Sequence, residues 1–226
     1  DSSWTVKAMF EDIRRHAGAN GGKFLQENIV LAAVEELLDA QGIEHSAIAY
    51  MGALMMSLQS SSQSEPDVYG GVLTLLDRAL EEVPRPVLST KAPRMAKAIV
   101  ALANSHMEHG VVLKPALACT AHLLVAQLGG APPSTEVTQL FAWLLEFTLH
   151  ANPKVRARAQ TASATVLESH RSLSPAAARF VQQRLGSLQA RDVQSALFLL
   201  NFVKQVFAAF NAQAASTVLS SLFRLF

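Results

Sequence analysis

The sequence is poor in cysteine and in aromatic residues. Cys119 is the single cysteine among 226 residues, which excludes an internal disulfide framework and is compatible with a reducing compartment. Phe, Trp and Tyr make up only 7% of the chain, although half of it is hydrophobic. The apolar residues are mostly Ala and Leu, which favour helix over strand. The composition therefore predicts a helical protein with ample material for a core.

Long uninterrupted apolar runs are also missing. A membrane-spanning helix needs roughly 18 such residues or more. The nearest candidate, residues 196–210, is interrupted by Asn201, Lys204 and Gln205. We therefore expect no membrane partner.

No convincing metal site stands out in the sequence. His106 and His109 flank Glu108, and His122 lies farther along. Zinc sites on a helix need two ligands on one face, whereas this cluster straddles a helix break at Gly110. We expect surface histidines at a helix end and no metal.

Catalytic and nucleotide-binding patterns are equally absent. The glycine-rich segment 18–23 has the wrong spacing for a phosphate loop, and Phe24 stands where Ser or Thr is required. Cys119 has no basic neighbour in sequence, which favours a buried structural thiol over a nucleophile. We expect no enzymatic activity, no cofactor and no small-molecule substrate.

The most informative stretch is residues 140–168, which reads as two helices with a short break between them. Asn152 is a favourable N-cap, and Pro153 suits the first helical position because its missing N–H costs nothing there. One face of the second helix is small and apolar, with Val155, Ala159, Ala162 and Val166. This pattern is typical of a HEAT-type helical hairpin. Such a hairpin cannot bury its apolar face alone, so neighbouring hairpins must stack on it.

Apolar periodicity and Gly, Pro and Ser breaks predict eleven helices and no strand. The predicted helices are 3–17, 22–40, 44–60, 66–82, 86–108, 111–128, 134–150, 153–169, 174–188, 191–210 and 212–226. In the tenth, the expected buried stripe is Val193, Ala196, Leu200, Val203, Phe207 and Phe210. The spacing between hairpins is about 40 residues, as in HEAT or armadillo repeats. We predict an all-α, HEAT/armadillo-like α-solenoid of stacked antiparallel helix pairs.

The ends of the sequence suggest a piece of a longer protein. The chain starts at Asp1, and its last residues stop inside an apolar helical pattern without a stop signal. We expect residues 1–226 to be a single fragment of a longer HEAT-repeat array. It would hold about five helical hairpins and no separate domains.

Charge is unevenly distributed along the chain. Residues 1–113 carry nine Lys and Arg against fourteen Asp and Glu, whereas residues 114–226 carry ten against four. The candidate RNA- or partner-binding residues are Lys154, Arg156, Arg158, Arg179, Arg184 and Arg191. On aligned repeats they would form a basic ridge able to attract RNA phosphates or an acidic protein surface. A solvated face is the alternative for the group, and a structural ion pair with an adjacent repeat is the alternative for Arg156.

Several segments together resemble one family of eukaryotic HEAT-repeat ribosome-biogenesis factors. Those segments are residues 34–42, 49–58, 83–91 and 150–160, in the order found near the amino terminus of that family. The most specific is Val-Pro-Arg-Pro-Val-Leu at 83–88, because the HEAT plan does not demand two prolines in an inter-helix turn. The chain resembles the ribosomal RNA-processing protein twelve family over residues 28–170.

The resemblance implies a scaffold without catalytic residues. Members of the family are long solenoids that join small-subunit ribosomal precursors in the nucleolus and assist their maturation and export. Expected partners are pre-ribosomal RNA and ribosome-assembly proteins within a large ribonucleoprotein, together with nuclear transport factors. The expected location is the nucleolus and nucleus, with shuttling to the cytoplasm. The alternative is a karyopherin-type nuclear transport receptor or another HEAT-repeat protein-binding scaffold, which the acidic first half favours.

Overall fold

The computed structural model describes residues 9–17, 24–60, 65–127, 132–188 and 192–223. Within these ranges the chain forms eleven α-helices and no strand, as predicted. The helices are α1 Glu11–Ala17, α2 Leu25–Ala40, α3 Ala47–Ser60, α4 Pro66–Glu82, α5 Arg85–Ser105, α6 Gly110–Gln127, α7 Thr135–Glu146, α8 Pro153–Ser169, α9 Ser174–Ser187, α10 Val193–Val206 and α11 Ala212–Phe223. Short 3-10 turns follow α7, α8 and α10, at Phe147–Leu149, Arg171–Leu173 and Phe207–Ala209.

Local sequence signals account for most helix starts. The Ser134 hydroxyl oxygen accepts a hydrogen bond from the Val137 N–H at 3.3 Å, and the Asn152 side-chain oxygen accepts one from the Lys154 N–H at 3.0 Å. Helices α4 and α8 begin with a proline. The Ser and Asn side chains accept hydrogen bonds from backbone N–H groups that have no partner inside the helix. A proline at the first position has no N–H, so it needs no such partner.

Helix ends differ more from the prediction. The seventh and tenth helices were expected to continue to residues 150 and 210, but their last turns tighten into 3-10 geometry. Helix α5 ends at Ser105, three residues early, where the His106 N–H bonds to the Ala103 carbonyl oxygen. Tightening of this kind satisfies carbonyl groups at a helix end without any sequence marker.

The chain divides into two compact units, Asp1–Leu123 and Leu124–Phe226. In the first unit, α4 packs against α2 and α3, and α3 also packs against α5. Helix α4 is consequently buried around most of its circumference. Its core contribution includes Tyr69, Val72, Leu73, Leu75, Leu76, Ala79 and Leu80.

Adjacent glycines let the neighbours of α4 approach closely. A Cβ atom on Gly70 would lie 2.6 Å from a methyl carbon of Val111 and 3.0 Å from its carbonyl oxygen, at the start of α6. A Cβ atom on Gly71 would lie 3.3 Å from the backbone of Gln26 in α2. The absence of both side chains therefore sets how tightly this unit packs.

The second unit has two layers. Helices α7, α9 and α11 lie side by side in one layer, and α8 and α10 form the other. Its fully buried side chains include Phe141, Leu144, Val155, Ala159, Val166, Val181 and Phe202. This is the stacked-hairpin arrangement expected of HEAT repeats.

The predicted buried stripe of α10 was only partly right, since Val203 and Phe210 are buried as expected. The structure buries Leu199, Phe202, Val203 and Val206, whereas Val193 is 62% exposed and Leu200 and Phe207 are also exposed. The helix carries apolar residues on two faces, and only the packing of its neighbours selects which one becomes core.

One described helix, Gly110–Gln127, is long and apolar enough to cross a membrane, and 67% of it is buried inside the protein. Such burial suits a core helix. The sequence pointed instead to residues 196–210 as the nearest candidate.

Candidate nucleic-acid interface

The amino-terminal end of α8 presents three of the predicted basic residues. Lys154 is exposed, and Arg158 is partly buried with contacts of its own. Arg156 is held by its surroundings, since its Nη1 donates to the carbonyl oxygens of His150 at 2.7 Å and Ala151 at 3.2 Å. Its guanidinium also lies 3.5 Å from the centre of the Phe198 ring. Arg156 thus joins α8 to the preceding turn and to α10.

Two further predicted residues lie on α9. The Arg179 side chain is exposed, and its Nε donates to the Pro175 carbonyl oxygen at 3.2 Å. Arg184 forms an ion pair with Glu146 at the end of α7, and its guanidinium lies 5.4 Å from the centre of the Phe180 ring. The Glu146 carboxylate offsets the charge of Arg184, so Arg179 is the stronger cation toward an outside ligand.

Helices α8 and α9 belong to different layers, yet the order of the helices brings some of their predicted basic residues to the same end of the unit. Short connections make α7, α8 and α9 alternate in direction. The last turn of α9 therefore lies at the end of the unit where α7 stops and α8 starts. Lys154, Arg156 and Arg184 share this end, which we call the basic end, whereas Arg179 lies farther along α9. Arg191 falls outside the described residues.

The predicted histidine cluster is divided between two places. His106 and His109 stay together, with ring centres 5.9 Å apart. His122 instead faces α4, where its Nε2 lies 3.2 Å from an Asp77 carboxylate oxygen and 4.0 Å from one of Glu81. Asp77, Glu81 and His122 thus place three ligand-type atoms within 4.8 Å of one another, and a protonated His122 would pair with either carboxylate.

The glycine-rich segment 18–23 lies outside the described residues. Cys119 is fully buried, and its thiol donates to the Leu73 carbonyl oxygen across 3.5 Å. This environment suits the structural role that the sequence suggested.

Comparison with known families decides the assignment. The model for "RRP12-like, N-terminal HEAT repeats" matches residues 28–226. The chain belongs to this family. The match extends past residue 170, where the resemblance recognised from sequence segments ended. A HEAT-repeat family assignment together with the all-helical structure confirms the predicted α-solenoid class.

Three curated relatives carry the same family name. The chain is 27% identical to an RRP12-like protein of Gallus gallus over 230 residues and to one of Homo sapiens over 229 residues, covering 96% of this chain in each case. It is 30% identical to an RRP12-like protein of Drosophila melanogaster over 149 residues, or 65% of this chain. The chain spans 18% of the length of the first two relatives and 11% of the third.

Sequence reasoning missed one polar residue inside this RRP12-like fold. Gln160 is only 3% exposed, and its Nε2 donates to the carbonyl oxygens of Thr148 at 3.0 Å and Phe198 at 3.3 Å. Its Oε1 accepts from the side-chain amides of Asn201 at 2.9 Å and Gln205 at 3.3 Å. The local sequence carried no signal for this role, since three of its four partners lie on α10, about 40 residues away.

Proposed function

We propose that this chain is part of a non-enzymatic HEAT-repeat scaffold in eukaryotic ribosome biogenesis. It binds small-subunit pre-ribosomal particles through pre-ribosomal RNA and assembly factors, and it aids ribosomal RNA processing and nuclear export. It acts in the nucleolus and nucleus and shuttles to the cytoplasm. The observation that carries this proposal is the family match across residues 28–226.

The charge of the second unit supports contact with RNA. Residues 124–226 hold nine Lys and Arg against four Asp and Glu, a net charge of +5, whereas residues 1–123 hold ten against fourteen, a net charge of −4. Phosphate contacts need cations that solvent can reach. Lys154 and Arg179 meet this requirement best, because both side chains are exposed, whereas Arg156 and Arg184 are partly buried against neighbouring groups.

The RNA contact in this proposal is to backbone and shape. Phe180 and Phe198 lie against arginines of the same unit and are not free stacking platforms for bases. Phosphate contacts position a protein but carry no sequence information. We therefore expect this unit to bind structured RNA without preference for a particular base sequence.

The family match also favours this function over the karyopherin-type alternative, which rested on the acidic first half. An acidic unit within an RRP12-like scaffold fits a protein-binding role beside an RNA-binding one. We therefore keep nuclear transport factors as proposed partners of the scaffold and do not propose that the scaffold is itself a transport receptor.

Salt-dependent binding tests the RNA contact directly. We expect the full chain to bind a structured RNA with an affinity that falls steeply as salt rises. Replacing Lys154 and Arg179 with Gln should reduce the slope of log affinity against log salt by about 1 for each charge removed. The matched control is Lys97→Gln, an exposed lysine on α5 in the first unit, which should leave the slope unchanged.

A slope that is the same in the wild type and in the Lys154→Gln, Arg179→Gln variant would contradict the proposed RNA contact. The wider function is tested in cells with a full-length relative lacking the matched segment. We expect small-subunit pre-ribosomal RNA to accumulate unprocessed, and normal processing would contradict the proposed role.

A further inference from the structure

A small methionine-lined groove lies between α3 and α5 in the first unit. Its floor consists of the buried side chains of Met51, Met55 and Met95. Met56 stands at its edge and is 61% exposed, and Lys91 and Arg94 complete the lining from α5. The cavity volume is about 220 Å³. Ligand pockets for drug-sized molecules typically span about 300–1,000 Å³, so this groove suits one or two large apolar side chains.

Gly52 is part of the groove lining. It is exposed in the middle of α3, where glycine is roughly 0.5–1 kcal/mol less favourable than alanine. A Cβ atom there would meet nothing within 4 Å. At Gly70 and Gly71, by contrast, the neighbouring helices leave no room for a side chain. Internal packing therefore gives no reason for this glycine. Because Gly52 lines the groove, a large side chain at this position would take up space in it.

The charge at the groove selects the kind of ligand. Lys91 and Arg94 are exposed, lie one turn apart on α5, and form no ion pair with a carboxylate of the described residues. Their unit is acidic overall, so this local pair of cations stands out from its surroundings. Charged groups at the rim of an apolar pocket choose partners of opposite sign.

We propose that this groove binds a short segment of a partner protein in which a large apolar side chain is flanked by Asp or Glu. The apolar side chain enters between the methionines, whose flexible thioethers adapt to its shape. The flanking carboxylates pair with Lys91 and Arg94 at the rim. This site is separate from the basic end, and it does not require that the second unit bind RNA.

Peptide display on the full chain tests this proposal. A random 12-residue phage library is selected on the wild-type chain and counter-selected on Gly52→Leu, whose added side chain fills the groove. We expect enriched peptides with a Leu, Phe or Trp beside acidic residues. An enriched pool rich in Lys and Arg, a pool that binds Gly52→Leu equally well, or no enrichment would each overturn the proposal.

Variants then locate the site for one enriched peptide by fluorescence anisotropy. We expect affinity to fall at least about tenfold in Gly52→Leu and in a variant with Lys91→Glu and Arg94→Glu. Lys97→Glu, the same charge change on the same helix outside the groove, should stay within about twofold. Circular dichroism melts verify folding, and Gly52→Ala should melt no lower than wild type because its Cβ meets open space.

Competition with a short duplex RNA separates a peptide site from a phosphate site. Displacement of the peptide by RNA, with RNA binding lost in the charge variant and retained in Gly52→Leu, would assign the cations to phosphate and refute the groove. Persistence of peptide binding in the presence of RNA supports it.

Discussion

The buried amide of Gln160 offers a sharp test of what holds the second unit together. Its four hydrogen bonds join α8 to the turn after α7 and to α10. Glu is nearly isosteric with Gln but replaces the amide N–H₂ donor with an oxygen. In Gln160→Glu, that oxygen faces the carbonyl oxygens of Thr148 and Phe198, so two attractive contacts become repulsive.

The expected cost follows from which groups lose water. Asn201 and Gln205 are exposed and can bond to solvent when Gln160 is replaced, whereas Thr148 is fully buried. A buried acceptor that loses its donor costs about 1–3 kcal/mol, and an ordinary hydrogen bond contributes about 0.5–1.5 kcal/mol. Gln160→Leu should therefore lower the free energy of unfolding by about 2–4 kcal/mol. Gln160→Glu should lower it further at neutral pH, since burial penalises the ionised carboxylate.

The pH dependence distinguishes these two variants. Burial raises the pKa of a carboxyl group in the folded state above its unfolded value near 4.3. Stability is then present at low pH and is lost as pH rises through the folded-state pKa. The penalty of Gln160→Glu should therefore be larger at about pH 8 than at about pH 5, by about 1.4 kcal/mol for each unit by which the folded-state pKa lies above about 5. Gln160→Leu should add no such dependence.

Urea unfolding of the chain, followed by circular dichroism at several pH values, measures both effects. Wild type, Gln160→Leu and Gln160→Glu are compared under the same conditions, with equal m-values taken as evidence of an unchanged unfolding reaction. A Gln160→Glu variant as stable as wild type at about pH 8 would show that these four hydrogen bonds are not formed, and the reasoning would fail.

Two further tests concern the first unit. Gly70→Ala should destabilise the chain by about 1–3 kcal/mol, because its Cβ would overlap Val111 and force α4 and α6 apart, and Gly186→Ala is a matched control because its Cβ would meet nothing within 4 Å. Equal melting temperatures for these two variants would contradict the close packing. The Tyr50 hydroxyl donates to a Glu35 carboxylate oxygen at 2.9 Å, and burial, this hydrogen bond and the Glu35 charge raise the pKa of the phenol. Its contribution to stability should be present below about pH 10 and lost as pH rises further, so wild type should lose stability relative to Tyr50→Phe in denaturation at alkaline pH. Parallel pH profiles for the two proteins would exclude this effect.

The sequence predicted elements whose causes are local. Asn152 and Pro153 specify a helix start through the cap and the missing N–H, and the structure begins α8 there. The 140–168 hairpin also carried enough of the family pattern to predict the solenoid class. The first signal acts within a few residues and the second within residues 140–168, so no knowledge of more distant neighbours was needed.

Features set by distant neighbours could not be predicted in the same way. The buried face of α10 depends on which of two apolar faces meets α8 and α9. The roles of Arg156 and Arg184 depend on Phe198 and Glu146, which lie about 40 residues away in sequence. The groove near Gly52 likewise arises only when α3 and α5 pack together. A list of basic residues therefore could not separate exposed cations from those already engaged.

The burial of Cys119 has a practical consequence for studying this protein. Because it is the single thiol in the chain and donates to Leu73 from inside the first unit, a thiol reagent can reach it only when α6 and α4 separate. The rate at which Cys119 is labelled in the natural sequence therefore reports how often that unit opens transiently. The effect of an added partner on this opening can be measured without an engineered probe.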